Sequence, residues 1–263
     1  MAIVGFIGTG NMGGALARAA AKSGLAEELL LANRSPEKAQ RLAKELGGRA
    51  VYNQEAAARA DILFLGVKPQ MLEDMLDGIR DTLKARKERQ LIVSMIAGKD
   101  LQTLGRLLGE ERPVIRIMPN IPAAVGAGVT LFCCSAAVTP EEKESFTRLM
   151  ACSGMVTELE EHLLDAASGV TGCGPAFAAM FVEALADGAV ACGLPRKQAV
   201  AFSAQMLLGS ARLLLESGAH PGELKDRVCS PAGSTIQGVR VLEERAFRAA
   251  VTDAVIATFE KKF

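Results

Sequence analysis

Gly8-Thr9-Gly10-Asn11-Met12-Gly13 has the spacing Gly-x-Gly-x-x-Gly, a loop that could hold a pyrophosphate. In a chain with 26 glycines that spacing alone says little. Here it follows an apolar run, Ala2–Ile7, and opens a helical stretch, Gly14–Ser23. In that setting each glycine has a task. Gly8 allows the tight turn, Gly10 lets the backbone approach the pyrophosphate, and Gly13 permits close helix–strand packing. The helix start adds oriented N–H groups for an anion. A βα turn that binds nothing is the plainer reading, and the strand before and helix after argue against it. Gly8, Thr9, Gly10, Asn11 and Met12 are therefore expected to bind a dinucleotide.

The next strand end bears on which dinucleotide. A site for NAD places Asp or Glu about 20 residues further on, to hold the ribose 2′-hydroxyl. This chain has Asn33-Arg34-Ser35 instead. Nothing there repels a 2′-phosphate: Arg34 offers a positive fork, while Asn33 and Ser35 offer neutral hydrogen bonds. NADPH is the expected cofactor, with NADH as the alternative. Further groups stand at later strand ends, where open α/β sheets bind ligands. Val67-Lys68-Pro69 ends one strand and Ala97-Gly98 follows another; Lys68 is the charged group among them and is assigned to the cofactor side. Asn120, after Met118-Pro119, is placed to meet the nicotinamide amide or the substrate.

The elements that must position these residues alternate in type. Strand-like runs lie at Ala2–Ile7, Leu29–Ala32, Asp61–Val67, Gln90–Ser94, Val114–Met118 and Val129–Cys133, with a last one at Met155–Leu159. Amphipathic stretches such as Ser35–Leu46 and Pro69–Leu83 lie between them, and Ser35-Pro36 reads as N-cap then first helical residue. That alternation implies right-handed βαβ crossovers and a mostly parallel sheet. Beyond Leu159 the periodicity is helical throughout. The fold class is thus α/β, a Rossmann-like doubly wound sheet over residues 1–158 followed by an all-helical domain over residues 159–263. Several of the later helical stretches, Ala176–Val190 and Ala199–Leu215 among them, are apolar on more than one face. Such a helix has to be buried. A domain of about a hundred residues has little interior for that, so a homodimer through the helical domain is expected.

Composition narrows the partners. At 263 residues the chain exceeds the usual domain of about 100–200, which fits two domains. Thirty Lys+Arg against thirty Asp+Glu argue against nucleic acid or an anionic membrane surface, both of which need a basic patch. The longest apolar tract, Gly174–Leu194, contains Glu183 and Asp187 and reads as a buried helix rather than a membrane span. With two histidines, His162 and His220, and no Cys-x-x-Cys pair, no metal site is expected. The six cysteines read as reduced, mostly buried thiols of a cytoplasmic protein. The first apolar stretch is too short for a signal sequence and runs into the glycine loop.

Two glycine-punctuated motifs mark the helical half: Thr171-Gly172-Cys173-Gly174-Pro175-Ala176 and Val228-Cys229-Ser230-Pro231-Ala232-Gly233-Ser234-Thr235. The second opens a helical stretch, Thr235–Glu244. The N–H groups of Gly233, Ser234 and Thr235 could form a carboxylate site with the Thr235 hydroxyl beside it, or the segment could be an ordinary N-cap loop.

With these motifs in place the chain resembles, end to end, the pyrroline-5-carboxylate reductase family. The resemblance rests on the glycine loop, Asn33-Arg34-Ser35, Val67-Lys68-Pro69-Gln70, Arg116-Ile117-Met118-Pro119-Asn120 and, most specifically, the stretch from Val228 to Glu243. It implies NADPH-dependent reduction of the small cyclic imine pyrroline-5-carboxylate to L-proline, the last step of proline biosynthesis. It also implies dimers through the helical domain that join into rings. By resemblance the substrate-binding threonine, counted as the catalytic residue, falls on Thr235, the carboxylate-binding backbone on Gly233 and Ser234, and an asparagine near the adenosine on Asn53. The chain departs from the family pattern at Cys173 and Phe177, where hydroxyls are usual, and at Ile121.

The chemistry asks little of the protein. A protonated imine is already electrophilic, so the site must hold the ring about 3–3.5 Å from the hydride donor rather than supply a strong acid. A β-hydroxyacid dehydrogenase would share the layout but resembles a pattern with a lysine where this chain has Ala178. Reduction of another cyclic imine, or an NADP-binding protein without activity, are the remaining alternatives.

Overall fold

The computed structural model describes residues Ala2–Glu260, and these fall into two compact units divided between Gly172 and Cys173. The first holds one eight-stranded sheet. Its chain runs β1 (Ala2–Ile7), α1 (Asn11–Ser23), β2 (Ala26–Ala32), α2 (Pro36–Leu46), β3 (Arg49–Ala50), α3 (Asn53–Arg59) and β4 (Ile62–Leu65). It continues through α4 (Leu72–Asp77), α5 (Arg80–Ala85), β5 (Leu91–Ser94), α6 (Leu101–Leu108), β6 (Val114–Met118), β7 (Gly128–Cys134), α7 (Pro140–Met150), β8 (Gly154–Glu158) and α8 (Glu161–Thr171).

The sheet order is β3-β2-β1-β4-β5-β6-β7-β8, and every pairing is parallel except β6 with β7. The antiparallel pair follows from the short link after β6, in which a 3₁₀ turn, Ile121–Val125, leaves no room for a crossover helix. The strand order reverses between β1 and β4. That is the switch point where doubly wound sheets place ligands.

Alternation along the strands makes the two faces. Val4, Phe6, Leu31, Phe64 and Val93 pack under α1, α2 and α7, with the Phe6 and Phe64 rings stacked at 4.4 Å. Ile7, Leu30, Leu63, Leu65 and Ile92 pack under α3, α4, α5 and α6. The stretch expected as one helix, Pro69–Leu83, is instead a 3₁₀ turn, Pro69–Met71, then α4 and α5. Gly78, a poor helix former, ends α4, and Ile79 turns into the core. The compact unit runs on past the expected boundary at residue 158 because Leu164 of α8 is buried with Leu131 and Cys133 of β7.

The second unit is helical: α9 (Gly174–Ala191), α10 (Arg196–Ser217), α11 (Pro221–Val228), α12 (Ser234–Glu244) and α13 (Phe247–Glu260). α9 and α10 form a hairpin tied by an ion pair between Arg196 and Asp187. Of this unit's described residues Ala186, Ala199 and Ser203 alone are buried. Met180, Phe202, Leu208, Leu215 and Phe259 are exposed. Apolar surface left open to that extent marks a face for a partner. Two stretches, Glu161–Ala191 and Arg196–Ser217, are also long and apolar enough by length and composition to cross a membrane.

Candidate active site

The glycine loop is dictated by contacts that tolerate no side chain. Gly8 has φ +100, and a methyl group there would lie 2.4 Å from the Gly66 carbonyl oxygen, just beyond β4. Gly66 N–H in turn donates to Ile7 O at 2.8 Å, so the ends of β1 and β4 are locked together. A methyl group on Gly10, by contrast, would meet nothing within 4 Å. Gly10 is the N-cap of α1 and offers no side-chain cap, so the first N–H groups of that helix open onto free space. Thr9 is 7% exposed, and its hydroxyl is buried without a partner. An uncapped helix start, an open approach over Gly10 and an orphan hydroxyl beside it fit the pyrophosphate of a dinucleotide.

Asn33 connects this loop to the next strand end. Its side-chain oxygen accepts the Thr9 N–H at 3.2 Å, and its amide nitrogen donates to Ser35 O at 3.2 Å. Asn33 thus serves as a staple. Ser35 occupies the N-cap of α2 as expected, but its hydroxyl makes no capping bond and stays free. Arg34, exposed, and Asn53, at the start of α3, line one cavity of about 420 Å³ together with Asn33 and Tyr52. Tyr52 is the single tyrosine and is 80% exposed, a flat apolar surface at the lip of that cavity. Sequence reasoning passed over it. It also passed over Lys38 and Arg41 of α2, which with Thr9, Gly10 and Asn11 line a second cavity of about 380 Å³. Neither pairs with an acid among the described residues, whereas Arg18 in the same wall is held by Glu45 at 2.6 Å. One turn separates Lys38 from Ser35, and that spacing was the signal available.

Val67, Lys68 and Pro69 follow β4, and Ala97 follows β5. Since β1, β4 and β5 are neighbours, these residues and the glycine loop stand at adjacent strand ends on the carboxyl edge of the sheet. Lys68 and Ala97 are both exposed there.

Asn120 departs from its expected role. It is 7% exposed, and both ends of its amide are occupied: the oxygen accepts from Val129 N–H at 2.8 Å and the nitrogen donates to Thr171 O at 2.8 Å. A carboxamide engaged on both sides within the protein is not presented to a ligand. Arg116, likewise missed, is 4% exposed and reaches Glu161 at 3.0 Å and Asp165 at 3.1 Å.

In the second unit the segment before α12 forms a tight turn. Gly233 N–H donates to Ser230 O at 3.0 Å and so is spent, contrary to its expected place in a carboxylate grip. Gly233 is the N-cap of α12 without a side-chain cap, which leaves the N–H groups of Ser234 and Thr235 open, both residues being exposed. Just before it, Ala232 holds φ 59, a left-handed conformation that costs a residue with a Cβ about 1–2 kcal/mol. Strain of this kind persists where the surroundings impose it, and it gathers at binding segments. Ala178, in α9, brings no ionisable group to its position.

Comparison with known proteins matches two families to the chain. Residues 161–262 match the family described as pyrroline-5-carboxylate reductase dimerisation, and residues 3–98 match the family described as NADP oxidoreductase coenzyme F420-dependent. The chain is 44% identical over 261 residues to the pyrroline-5-carboxylate reductase of Escherichia coli, covering 98% of this chain and 96% of that one. Among solved structures, the Plasmodium falciparum pyrroline carboxylate reductase with NADP bound superposes with TM-score 0.86 at 30% identity, covering 98% of this chain and 96% of its own. The pyrroline-5-carboxylate reductase of Coxiella burnetii gives TM-score 0.90 at 28% identity, with the same coverage of both chains.

Proposed function

The chain belongs to the pyrroline-5-carboxylate reductase family, and from that membership we propose that it reduces the cyclic imine pyrroline-5-carboxylate to L-proline with NADPH, the final step of proline biosynthesis. It is an oxidoreductase acting on a C=N bond. NADPH, when bound, supplies the hydride to the imine carbon. The glycine loop over Gly8, Thr9, Gly10, Asn11 and Met12 holds the pyrophosphate, and Val67, Lys68, Pro69 and Ala97 line the same edge towards the nicotinamide. Arg34, with the free Ser35 hydroxyl, takes the 2′-phosphate. Asn33 shapes this corner from below, and Asn53 borders the adenosine.

The observation that carries the substrate assignment is the uncapped start of α12 behind a strained Ala232. The N–H groups of Ser234 and Thr235 grip the substrate carboxylate, and the Thr235 hydroxyl orients the ring nitrogen. Gly233 contributes by its turn and not by its N–H. No residue here needs to deliver a proton in the hydride step: the imine arrives protonated, accepts the electron pair at carbon, and leaves as the amine.

The dimerisation domain makes the protein a homo-oligomer. The second copy covers the apolar faces of α9, α10, α12 and α13, which accounts for the two membrane-length stretches without lipid. Dimers that join into a ring, a cytoplasmic location, and the absence of nucleic acid and membrane partners complete the reading.

Initial rates of NADPH oxidation test it, with pyrroline-5-carboxylate beside a panel of hydroxyacid-derived aldehydes and six-membered cyclic imines. Turnover on the five-membered imine is expected, with kcat/KM falling roughly tenfold or more in Thr235→Ala, the effect of one lost hydrogen bond to a charged group. Turnover on an aldehyde alone would overturn the reaction despite Ala178. Unchanged rates in Thr235→Ala would overturn the residue assignment.

A further inference from the structure

Arg116 and Asn120 are buried polar residues that the chemistry above does not use, and both of them act on α8. Arg116 in β6 donates from Nη1 to Glu161 at 3.0 Å and from Nη2 to Asp165 at 3.1 Å, both in the first half of that helix. The same Glu161 oxygen accepts the N–H of Leu101, the first residue of α6, at 2.7 Å. Asn120, just past β6, donates to the carbonyl of Thr171, the last residue of α8, and accepts from Val129 at the start of β7. Carbonyls in a last helical turn have no partner within the helix, so Asn120 supplies a donor that α8 lacks. Between these two anchors Leu164 is buried against Leu131 and Cys133. One short stretch of chain, Arg116 to Asn120, therefore fixes α8 at its beginning and its end. The first unit ends one residue after Thr171, at Gly172.

We propose that Arg116 and Asn120 are positioning residues for hydride transfer: by clamping both ends of α8 they hold that helix and, through Glu161, the start of α6 fixed against the sheet whose strand ends carry the cofactor residues. The proposal rests on the reductase reading. Its physical basis is that hydride transfer tolerates little misplacement, a shift of about 1 Å being able to lower a rate by roughly 10²-fold. Asp165 is largely exposed and contributes less than Glu161, whose carboxylate also caps the start of α6.

The test uses the full chain with Asn120→Asp and Arg116→Lys. Asn120→Asp keeps the acceptor for Val129 and loses the donor to Thr171; Arg116→Lys keeps the charge and loses the fork. For each, kcat and KM on the imine, the Kd for NADPH, the Tm and the primary isotope effect with deuterated NADPH are measured. Expected are a kcat lower by about ten- to a hundredfold, KM and Kd changed by less than about twofold, and a larger isotope effect as the hydride step becomes limiting. A lowered Tm with unchanged kcat and isotope effect would overturn the proposal in favour of a purely structural role. A rise in KM together with weaker product inhibition by the amine would overturn it in favour of direct substrate contact by Asn120. If the wild type turns over no imine while still binding NADPH, the reductase reading itself falls and takes the proposal with it.

Discussion

The α-carbon of Gly13 stands so close to the carbonyl oxygen of Gly8 that a methyl group built on Gly13 would lie 2.0 Å from it. No backbone adjustment short of moving α1 away from β1 relieves such a contact. Three positions earlier Gly10 is open, with nothing within 4 Å of a built methyl group. The glycines of one motif are therefore constrained differently: the protein's own backbone requires Gly13, whereas no neighbouring atom requires Gly10.

Gly13→Ala should lose stability by about 1–3 kcal/mol or fail to fold, as overpacked sites do. Gly10→Ala should melt within about 2 °C of the wild type, since nothing is displaced. Its Kd for NADPH should nevertheless rise by roughly tenfold or more, because the methyl group enters the space over the helix start. Thermal melts and fluorescence titration with NADPH read the two effects separately. A Gly10→Ala protein that binds NADPH as tightly as the wild type would remove the pyrophosphate from this loop.

Cofactor preference should reside in Arg34. It is exposed at the cavity shared with Asn53, and Asn33 beside it is committed to Thr9 and Ser35. Removing a charged donor to a phosphate is worth about 1.5–3 kcal/mol, or roughly ten- to a hundredfold. Arg34→Ala should raise the KM for NADPH by that factor and leave the KM for NADH within about twofold. If Arg34→Ala changes neither and Lys38→Ala or Arg41→Ala changes the first, the 2′-phosphate lies against α2 instead.

The fold was legible wherever apolar runs were bounded by turn residues. Ala2–Ile7 and Val114–Met118 appear with the limits that their composition suggests. β3 was not legible, because Arg49 and Ala50 are both exposed and two residues carry no periodicity. The split of Pro69–Leu83 is a matter of tertiary burial at Ile79, which helical periodicity does not express. In the site, residue type indicated the neighbourhood but not the hydrogen-bond partner. Asn120 has the chemistry of a ligand contact and spends it on Val129 and Thr171; Gly233 has a free-looking N–H and gives it to Ser230. Lys38 and Arg41 are in sequence only polar positions of the amphipathic stretch Ser35–Leu46, and only the approach of α1 shows that they border the glycine loop.

Alkaline stability should report the burial of Cys133. The thiol lies on β7, 4% exposed, and burial first, then the negative charge of Glu161, push it up from an ordinary 9.0 to about 12, with Arg116 opposing. Burial followed by Glu158 raises its neighbour Cys134 to about 11. In the unfolded chain these thiols lose their protons near their ordinary value, while in the folded protein they keep them. The unfolded state therefore binds fewer protons as pH rises, and the sign of the linkage makes folding less favourable. This contribution is fully present below pH 9.0 and is lost progressively between there and about 12. For Cys133 the slope is about 1.4 kcal/mol per pH unit within that window. Urea unfolding at several pH values from about 8 to about 10.5 should show the wild-type midpoint falling. Lysine and tyrosine titrations contribute to that fall, so Cys133→Ala is the control. It starts less stable by the small cavity it leaves, and should decline less steeply above pH 9.0 by about the slope of one proton. Parallel declines in the two proteins would mean that Cys133 ionises as readily in the folded state as in the unfolded one. Its place beneath α8 beside Leu164 would then need revision.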